Sequence, residues 1–503
     1  MRSGLLKFHL NETILADYSI YQTKKSAQNS AKYRPQGALE VFVYQQIMAK
    51  LKGQQRHAQP EQQRTHTDAS GQNLDYYWMP SSGNRQFKAN PRMVVGAQGH
   101  YLFDDRGRKI FDGLSGLWTC GMGHCQPKIA EAIAAQASQL DFAPTFQFGH
   151  PKAFQLAERI VDFMPAGLNR VFFTGSGSES ADTSLKIARA YWRKRGMASK
   201  TKLLGRIKGY HGVNFGGISV GGIVGNRAIY GHGVEADHLS STLLPENRFS
   251  RGMPEQGAHL AEQLEELVAL HDASNIAALI VEPMAGSAGV LPPPVGYLQR
   301  LRELCDKYQI LLIFDEVITA FGRVGAATGA EAFGVVPDML NIAKQLTNGA
   351  VPMGAVIAKQ EIYDTFMAQG GPDYMVELPH GYTYSAHPLA CAAGLASLDL
   401  LESEGMFAQS AATAVKLEEA VHSLRGAPHI EDIRNCGSAA GITLASYPGE
   451  PARRPFEAAM KLWDKGFYVR YGADTLQLGL PFATTDSELA ALIDAIAATL
   501  REL

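Results

Sequence analysis

The sequence predicts an α/β fold, with a mainly parallel sheet wrapped by helices and a smaller α+β lobe beside it. Three observations predict it. Short, continuous apolar runs recur with helical stretches between them, as strands buried on both faces require. Two of these runs end on an ionisable residue: ILLIFD closes on Asp315, and DMLNIA leads into Lys344, 29 residues further on. After about Pro388 the pattern changes to long helices with short strands.

In chain order, the first ~73 residues differ in composition from the rest, the mark of a boundary. Gln54 to Gln72 is almost wholly polar and reads as a flexible linker, while Ala38 to Leu51 has the composition of an isolated amphipathic helix. Met48 is a second candidate start. RVFFTGSGSESADTSLKIARAYW, Arg170 to Trp192, reads as strand, Gly/Ser turn and helix. Strands follow at Lys202 to Ile207, Ile276 to Val281, Ile310 to Phe314, Met339 to Ile342 and Gly354 to Ala358. Helices are expected at Leu260 to His271 and Pro294 to Tyr308, then at Ala390 to Glu404, Gln409 to Leu424 and Asp486 to Leu503.

A chain of 503 residues divides into two or more domains. A formal net charge of −2 gives no attraction to nucleic acid or to an anionic membrane. No run approaches the roughly 20 apolar residues of a spanning helix. Five cysteines are few and odd in number, which argues against a disulfide framework and suits a reducing cytoplasm. CGMGHC (Cys120 to Cys125) lacks the spacing of a zinc site and has no second ligand pair at finger distance, so it reads as a packed Gly-rich turn and no metal is expected.

Side chains at the carboxyl ends of parallel strands point into the crevice where such sheets bind ligands. Gly175-Ser176-Gly177-Ser178 stands between a strand and a helix, where free N–H groups and a partial positive charge suit a phosphate; a turn used for geometry alone has the same look. GRIKGYHG delivers Tyr210 and His211, either to stack on a planar ligand or to form a buried pair. Glu282 follows another buried run and needs a partner there. Asp315 and Lys344 suit pyridoxal phosphate (PLP): a carboxylate keeps the ring nitrogen protonated, and an amine of lowered pKa forms an imine and moves protons. An ion pair between strand ends is the alternative. Val317 projects to the same side as Asp315, Thr383 offers a hydroxyl to an anion, and Arg470 sits in an apolar strand among aromatic residues, where its partner is a carboxylate of the protein or of a ligand.

Over about Tyr76 to Leu503 the chain resembles the class III, or ω-amino acid, PLP aminotransferases, most closely the β-alanine–pyruvate group. NRQFKANPRMVVGAQGHYLFDDRGRKIFDGLSGLWTCGMGH, NFGGISVGGIVGNR, IFDEVITAFGR, TNGAVPMGAV and GYTYSAHP carry the resemblance. It implies a fold-type I PLP enzyme. Residues 74–150 would begin the small domain, 151–387 form the large PLP-binding domain, and 388–503 complete the small one; residues 1–73 form an extension outside the family. Lys344 would be the catalytic lysine and Asp315 the partner of the ring nitrogen. Ser176, Gly177 and Ser178 would hold the phosphate, with Thr383 reaching it from the other subunit of a homodimer or dimer of dimers. Tyr210 and Val317 would face the ring, with His211 and Glu282 beside it, and Trp118 would limit substrate size. Arg470 would bind the carboxylate of alanine or pyruvate. The 4-aminobutyrate and ornithine branches carry a glutamate in the turn after the Glu-Pro motif; here that position is Ser287.

These readings imply a cytoplasmic ω-amino acid–pyruvate aminotransferase working by ping-pong transfer, with a small-molecule amino donor and pyruvate as partners. A decarboxylating or mutase enzyme of the same fold, and a non-catalytic PLP-binding protein, are the alternatives.

Overall fold

A computed structural model describes residues 66–231 and 233–503 of the protein. The helix expected at 38–51 and most of the polar stretch before 73 lie outside the described residues. The chain separates into two compact units, one ending at Pro91 and the other running from Arg92 to Leu503. Of the first, the described part contains an isolated bridge between Thr67 and Asn73 and the short helix Asn84–Ala89.

Among the described residues, the second unit is built on a seven-stranded sheet. Its order is Leu168–Thr174, Gly354–Lys359, Met339–Ile342, Leu311–Asp315, Ile276–Val281, Lys202–Arg206 and Ala236–Leu239. Gly354–Lys359 runs antiparallel to both its neighbours; the remaining pairs are parallel. The sequence shows why these segments are strands. All six residues of Ile276–Val281 are buried, and alternate side chains serve opposite faces. Leu279, Val281, Leu312, Phe314, Leu340 and Ile342 join one apolar cluster. Ala278, Ile280, Leu311, Ile313 and Met339 join the other. Helix Tyr297–Lys307 covers the first face with Leu298, Leu301 and Leu304; helix Gly177–Lys194 covers the second with Ala181, Leu185, Ala188 and Trp192. Each large aliphatic side chain buried this way contributes about 1.5–3 kcal/mol.

Ala236–Leu239 was not anticipated. It is a four-residue edge strand carrying Asp237 and His238, so it lacks the apolar run that marks the central strands. The other six strands of this sheet and the helices expected from the sequence fall within a few residues of their expected positions; Pro294 and Pro293 precede helix Tyr297–Lys307 instead of opening it.

Arg434 and the apolar faces of helices Met406–His422, Arg453–Asp464 and Asp486–Arg501 lie with a second, antiparallel sheet, ordered Ile430–Cys436, Ala439–Leu444, Thr475–Gly479 and Arg470–Gly472. Thr485 and Glu488 form a reciprocal capping box at the start of the last helix. A third sheet, Val94–Gln98, Tyr101–Asp104 and Lys109–Asp112, is extended by the parallel strand Phe467–Tyr468, which ties residues far apart in the chain. No helix among the described residues is long and apolar enough to cross a membrane.

Strand Lys202–Arg206 and helix Phe215–Val220 approach so closely at Gly205 that a Cβ there would stand 1.9 Å from the Val220 carbonyl oxygen. Gly205→Ala is therefore expected to lower stability by ~2 kcal/mol, read as a shift in the urea or thermal midpoint. An unchanged midpoint would show that the two elements separate freely.

Candidate active site

Because the parallel strands share a direction, their carboxyl ends deliver side chains to one edge of the sheet. The Gly/Ser turn lies there. Ser176 caps helix Gly177–Lys194, its Oγ accepting from Glu179 N at 3.2 Å, while the Glu179 carboxylate accepts from Gly175 N at 2.6 Å. The N–H groups of Gly177 and Ser178 fall in the first turn, where a helix provides no acceptor of its own. They form a donor site for an anion. A Cβ on Gly177 would come within 2.8 Å of the Val317 Cγ1, so Val317 presses directly on this turn. Ser178 Oγ accepts from Val213 N at 3.2 Å, which draws in the segment after His211.

Asp315 ends its strand and is 6% exposed. One carboxylate oxygen lies 2.8 Å from His211 Nδ1 and the other accepts from Val317 N at 3.3 Å. His211 Nε2 is buried without a partner. Glu282 is buried beside them; its Oε1 accepts from Tyr210 N at 2.9 Å, and its carbonyl accepts from Arg206 at 3.0 Å. Burial pushes the Glu282 carboxyl up to about 7, with Asp315 acting in the same sense and His211 against it. The Tyr210 phenol is likewise raised by burial, against the pull of Arg470.

Lys344 stands two residues beyond strand Met339–Ile342, at φ +45°, where a short 3-10 turn begins. A non-glycine residue held at positive φ is a strained position that its surroundings must enforce. Here the enforcement comes from CGMGHC: Gly121 N donates to Gln345 Oε1 at 2.7 Å, Met122 N to Asn348 Oδ1 at 3.2 Å, and Asn348 Nδ2 to Gly123 O at 2.8 Å. Burial lowers the Lys344 ammonium to about 8. Arg470 and Arg323 act in the same direction, and Asp315 and Glu282 oppose them. CGMGHC is thus a clamp on the lysine turn, and the sequence reading had no signal for that pairing because the partners lie more than two hundred residues apart. Its His124 lies 2.7 Å from the buried Asp112; burial alone would lower this imidazole, but Asp112 and Cys120 raise it to about 10.

Arg470 occupies strand Arg470–Gly472, opposite Gln477, and no carboxylate among the described residues forms an ion pair with it. Gln477 Nε2 in turn donates to Ser287 O at 3.1 Å, which places the turn after Glu282-Pro283 against strand Thr475–Gly479, the neighbour of the arginine's strand. Arg323, which the sequence reading passed over, is buried between the rings of Trp118 and Phe482, with centroid distances of 5.8 and 5.1 Å.

The structure therefore brings Lys344, Asp315, His211, Glu282, Tyr210 and Arg470 within electrostatic reach of one another, with Ser176, Gly177, Ser178 and Val317 at the adjoining turn. Two candidates stand apart. Trp118 is 1% exposed, packed with Leu114, Met284, Val290 and Ile318, and its indole N–H has no partner. Thr383 is exposed. A buried carboxylate, an amine of lowered pKa and a helix N-terminus with free N–H groups are the donor set that a phosphorylated pyridine aldehyde requires.

Residues 83–500 match the family model described as Aminotransferase class-III. The β-alanine–pyruvate aminotransferase of Pseudomonas aeruginosa is 61% identical over 425 residues, which span 84% of this chain and 95% of the relative. The ω-amino acid–pyruvate aminotransferase of Pseudomonas putida is 56% identical over 86% of this chain and 97% of its own. Among solved structures, the PLP-bound amine transaminase from an uncultivated Pseudomonas species superimposes with a TM-score of 0.78 at 34% identity, covering 85% of this chain and 98% of that one.

In the cofactor-free protein, competitive labelling of Lys344 by an amine-reactive reagent should titrate near pH 8, against about 10.4 for an ordinary lysine. Asp315→Asn should move the midpoint lower still, because the aspartate holds the charged form in place. A wild-type midpoint above about 10 would mean that Lys344 is solvated.

Proposed function

Since the chain belongs to the class-III aminotransferase family, whose cofactor is PLP, we propose that it transfers the amino group of an ω-amino acid such as β-alanine to pyruvate, yielding alanine and an oxo acid or aldehyde. The observation that carries the pyruvate half is Arg470, with no carboxylate among the described residues paired to it and with Ser287 on the turn bonded to Gln477, its cross-strand neighbour. A glutamate on that turn would occupy the arginine; a serine leaves it to the carboxylate of the oxo acid. The names of the 61% and 56% identical relatives support the same donor and acceptor.

PLP supplies an electron-withdrawing ring next to the reacting carbon and stores the amino group between the two halves of the reaction. The chain's own residues do the rest. Lys344 anchors the cofactor and moves a proton to and from the substrate carbon, and its lowered pKa provides the neutral amine for this near neutral pH. The Asp315 carboxylate, oriented by His211, would hold the proton of the ring nitrogen. Ser176, Gly177 and Ser178 would receive the phosphate and Val317 and Tyr210 would hold the ring, with Val317 against the Gly177 turn and Glu282 fixing the Tyr210 backbone. Donor and pyruvate use one site in turn, which makes the kinetics ping-pong.

A second copy of the chain completes this site in our reading. Thr383 is exposed, and it adjoins a patch of exposed Phe142, Phe146 and Tyr384. Phe142 meets Tyr384 at 6.1 Å, and Phe146 touches Gly381. A contiguous aromatic patch of this kind suits a homodimer interface, alone or within a dimer of dimers.

An amine panel with pyruvate, scored by alanine formed, tests the reaction. β-Alanine and related ω-amines should give alanine, and Lys344→Ala should abolish it; release of carbon dioxide, or turnover without an oxo acid, would indicate a decarboxylase or mutase instead. Arg470→Ala should raise KM for pyruvate about ten- to hundredfold, the worth of hydrogen bonds to a charged group, with a smaller effect on amines that lack a carboxylate. An unchanged KM would remove Arg470 from the acceptor site.

A further inference from the structure

The loop that carries Thr383 is fastened to the helix that carries this chain's own phosphate turn, and the fastening is a titratable group. His380 stacks on Phe172, with ring centroids 5.5 Å apart and planes 5° from parallel. Tyr382 meets it edge-on at 5.1 Å. His380 Nε2 lies 2.9 Å from Thr183 Oγ1, and Nδ1 lies 2.9 Å from Lys186 Nζ. An ammonium has donors only, so Nδ1 must be the acceptor. The geometry therefore requires the neutral imidazole with its proton on Nε2, donating to the buried Thr183. The Tyr382 hydroxyl lies 3.2 Å from Thr183 Oγ1 and 3.4 Å from Glu179 O. Thr183, Lys186 and Glu179 all belong to helix Gly177–Lys194, and Phe172 belongs to the strand that feeds it.

A proton added at Nδ1 would face the Lys186 ammonium across that same short contact, and one of the two would have to move away. The charged groups around His380 do not offset this. Lys186 faces it from the helix; Glu179 and Asp182 of that helix act on Tyr382; the strand contributes the uncharged Phe172. Burial and Lys186 both disfavour the imidazolium.

We propose that neutral His380 is a positioning residue for the Thr383 loop and that its protonation frees the loop, so that PLP held at the neighbouring subunit's site is released faster in acid. This rests on the reading of Thr383 given above. The sign follows from the direction of the shift: a group that is harder to protonate when docked stabilises docking above its ordinary range and withdraws that support as the pH falls below about 6.5.

Release of PLP from the holoenzyme, followed by its bound absorbance after dilution into buffers between about pH 5 and pH 8, tests the proposal. Wild-type release should accelerate roughly threefold or more in the acid half of that range. His380→Gln keeps an amide donor for Thr183 but cannot take the proton, and its profile should lose that step. Lys186→Met should shrink or abolish the step, because the ammonium that a protonated imidazole would face is gone. Thr383→Ala should release PLP rapidly at every pH. If His380→Gln retains the wild-type step while Thr383→Ala releases rapidly, the His380 proposal alone is overturned. If Thr383→Ala releases no faster than wild type, the reading of Thr383 is overturned, and the His380 proposal with it.

Discussion

Two carboxyl groups and an amine share one desolvated crevice at the carboxyl edge of the sheet, and the surrounding structure exists to hold them there. Glu282 is buried, Asp315 is 6% exposed and Lys344 lies beside both. Left unpartnered, such groups would change protonation state or draw in water. The fold instead supplies fixed dipoles. His211 meets Asp315, the Tyr210 N–H meets Glu282, and the two arginines Arg470 and Arg323 add positive charge on the lysine's side. The result is an amine that loses its proton near neutral pH and carboxylates held in defined orientations, which is the combination a proton shuttle needs.

Precision at that edge comes from segments remote in sequence. Turns alone would leave Lys344 free to relax from its positive φ, but Gly121, Met122 and Gly123 bond the lysine turn through Gln345 and Asn348. The turn after Glu282 is held from the antiparallel sheet, where Arg434 donates to Gly289 O at 2.8 Å and pairs with the buried Asp432. Arg470 comes from that same sheet. The site is therefore assembled by the docking of two differently built layers, and loosening either one would disturb the lysine without touching it.

Much of this was legible in the residues. The apolar runs located the central strands because burial on both faces demands an unbroken run, and the glycines and serine after Thr174 marked the helix N-terminus. Ala236–Leu239 escaped because an edge strand keeps polar side chains. The direction of Gly354–Lys359 was not readable either: its residues are as apolar as those of a parallel strand, and its orientation depends on where the chain enters the sheet. Trp118 illustrates the other limit. The family resemblance implies a pocket wall, but whether the ring faces a cavity or the core depends on Gly479 and Arg323, which pack against it from elsewhere in the chain.

By itself the sequence determined the kinds of chemistry available: a lysine and an aspartate at strand ends, a phosphate-sized turn and an arginine among aromatic residues. These are local matters, set by residue type and by the periodicity of burial. The tertiary structure decided how they act together. Contacts such as His211 with Asp315, Gly121 with Gln345 and His380 with Thr183 join residues separated by 104, 224 and 197 positions. The energy of such a pair depends on distance and on desolvation, and neither quantity exists until the chain has folded.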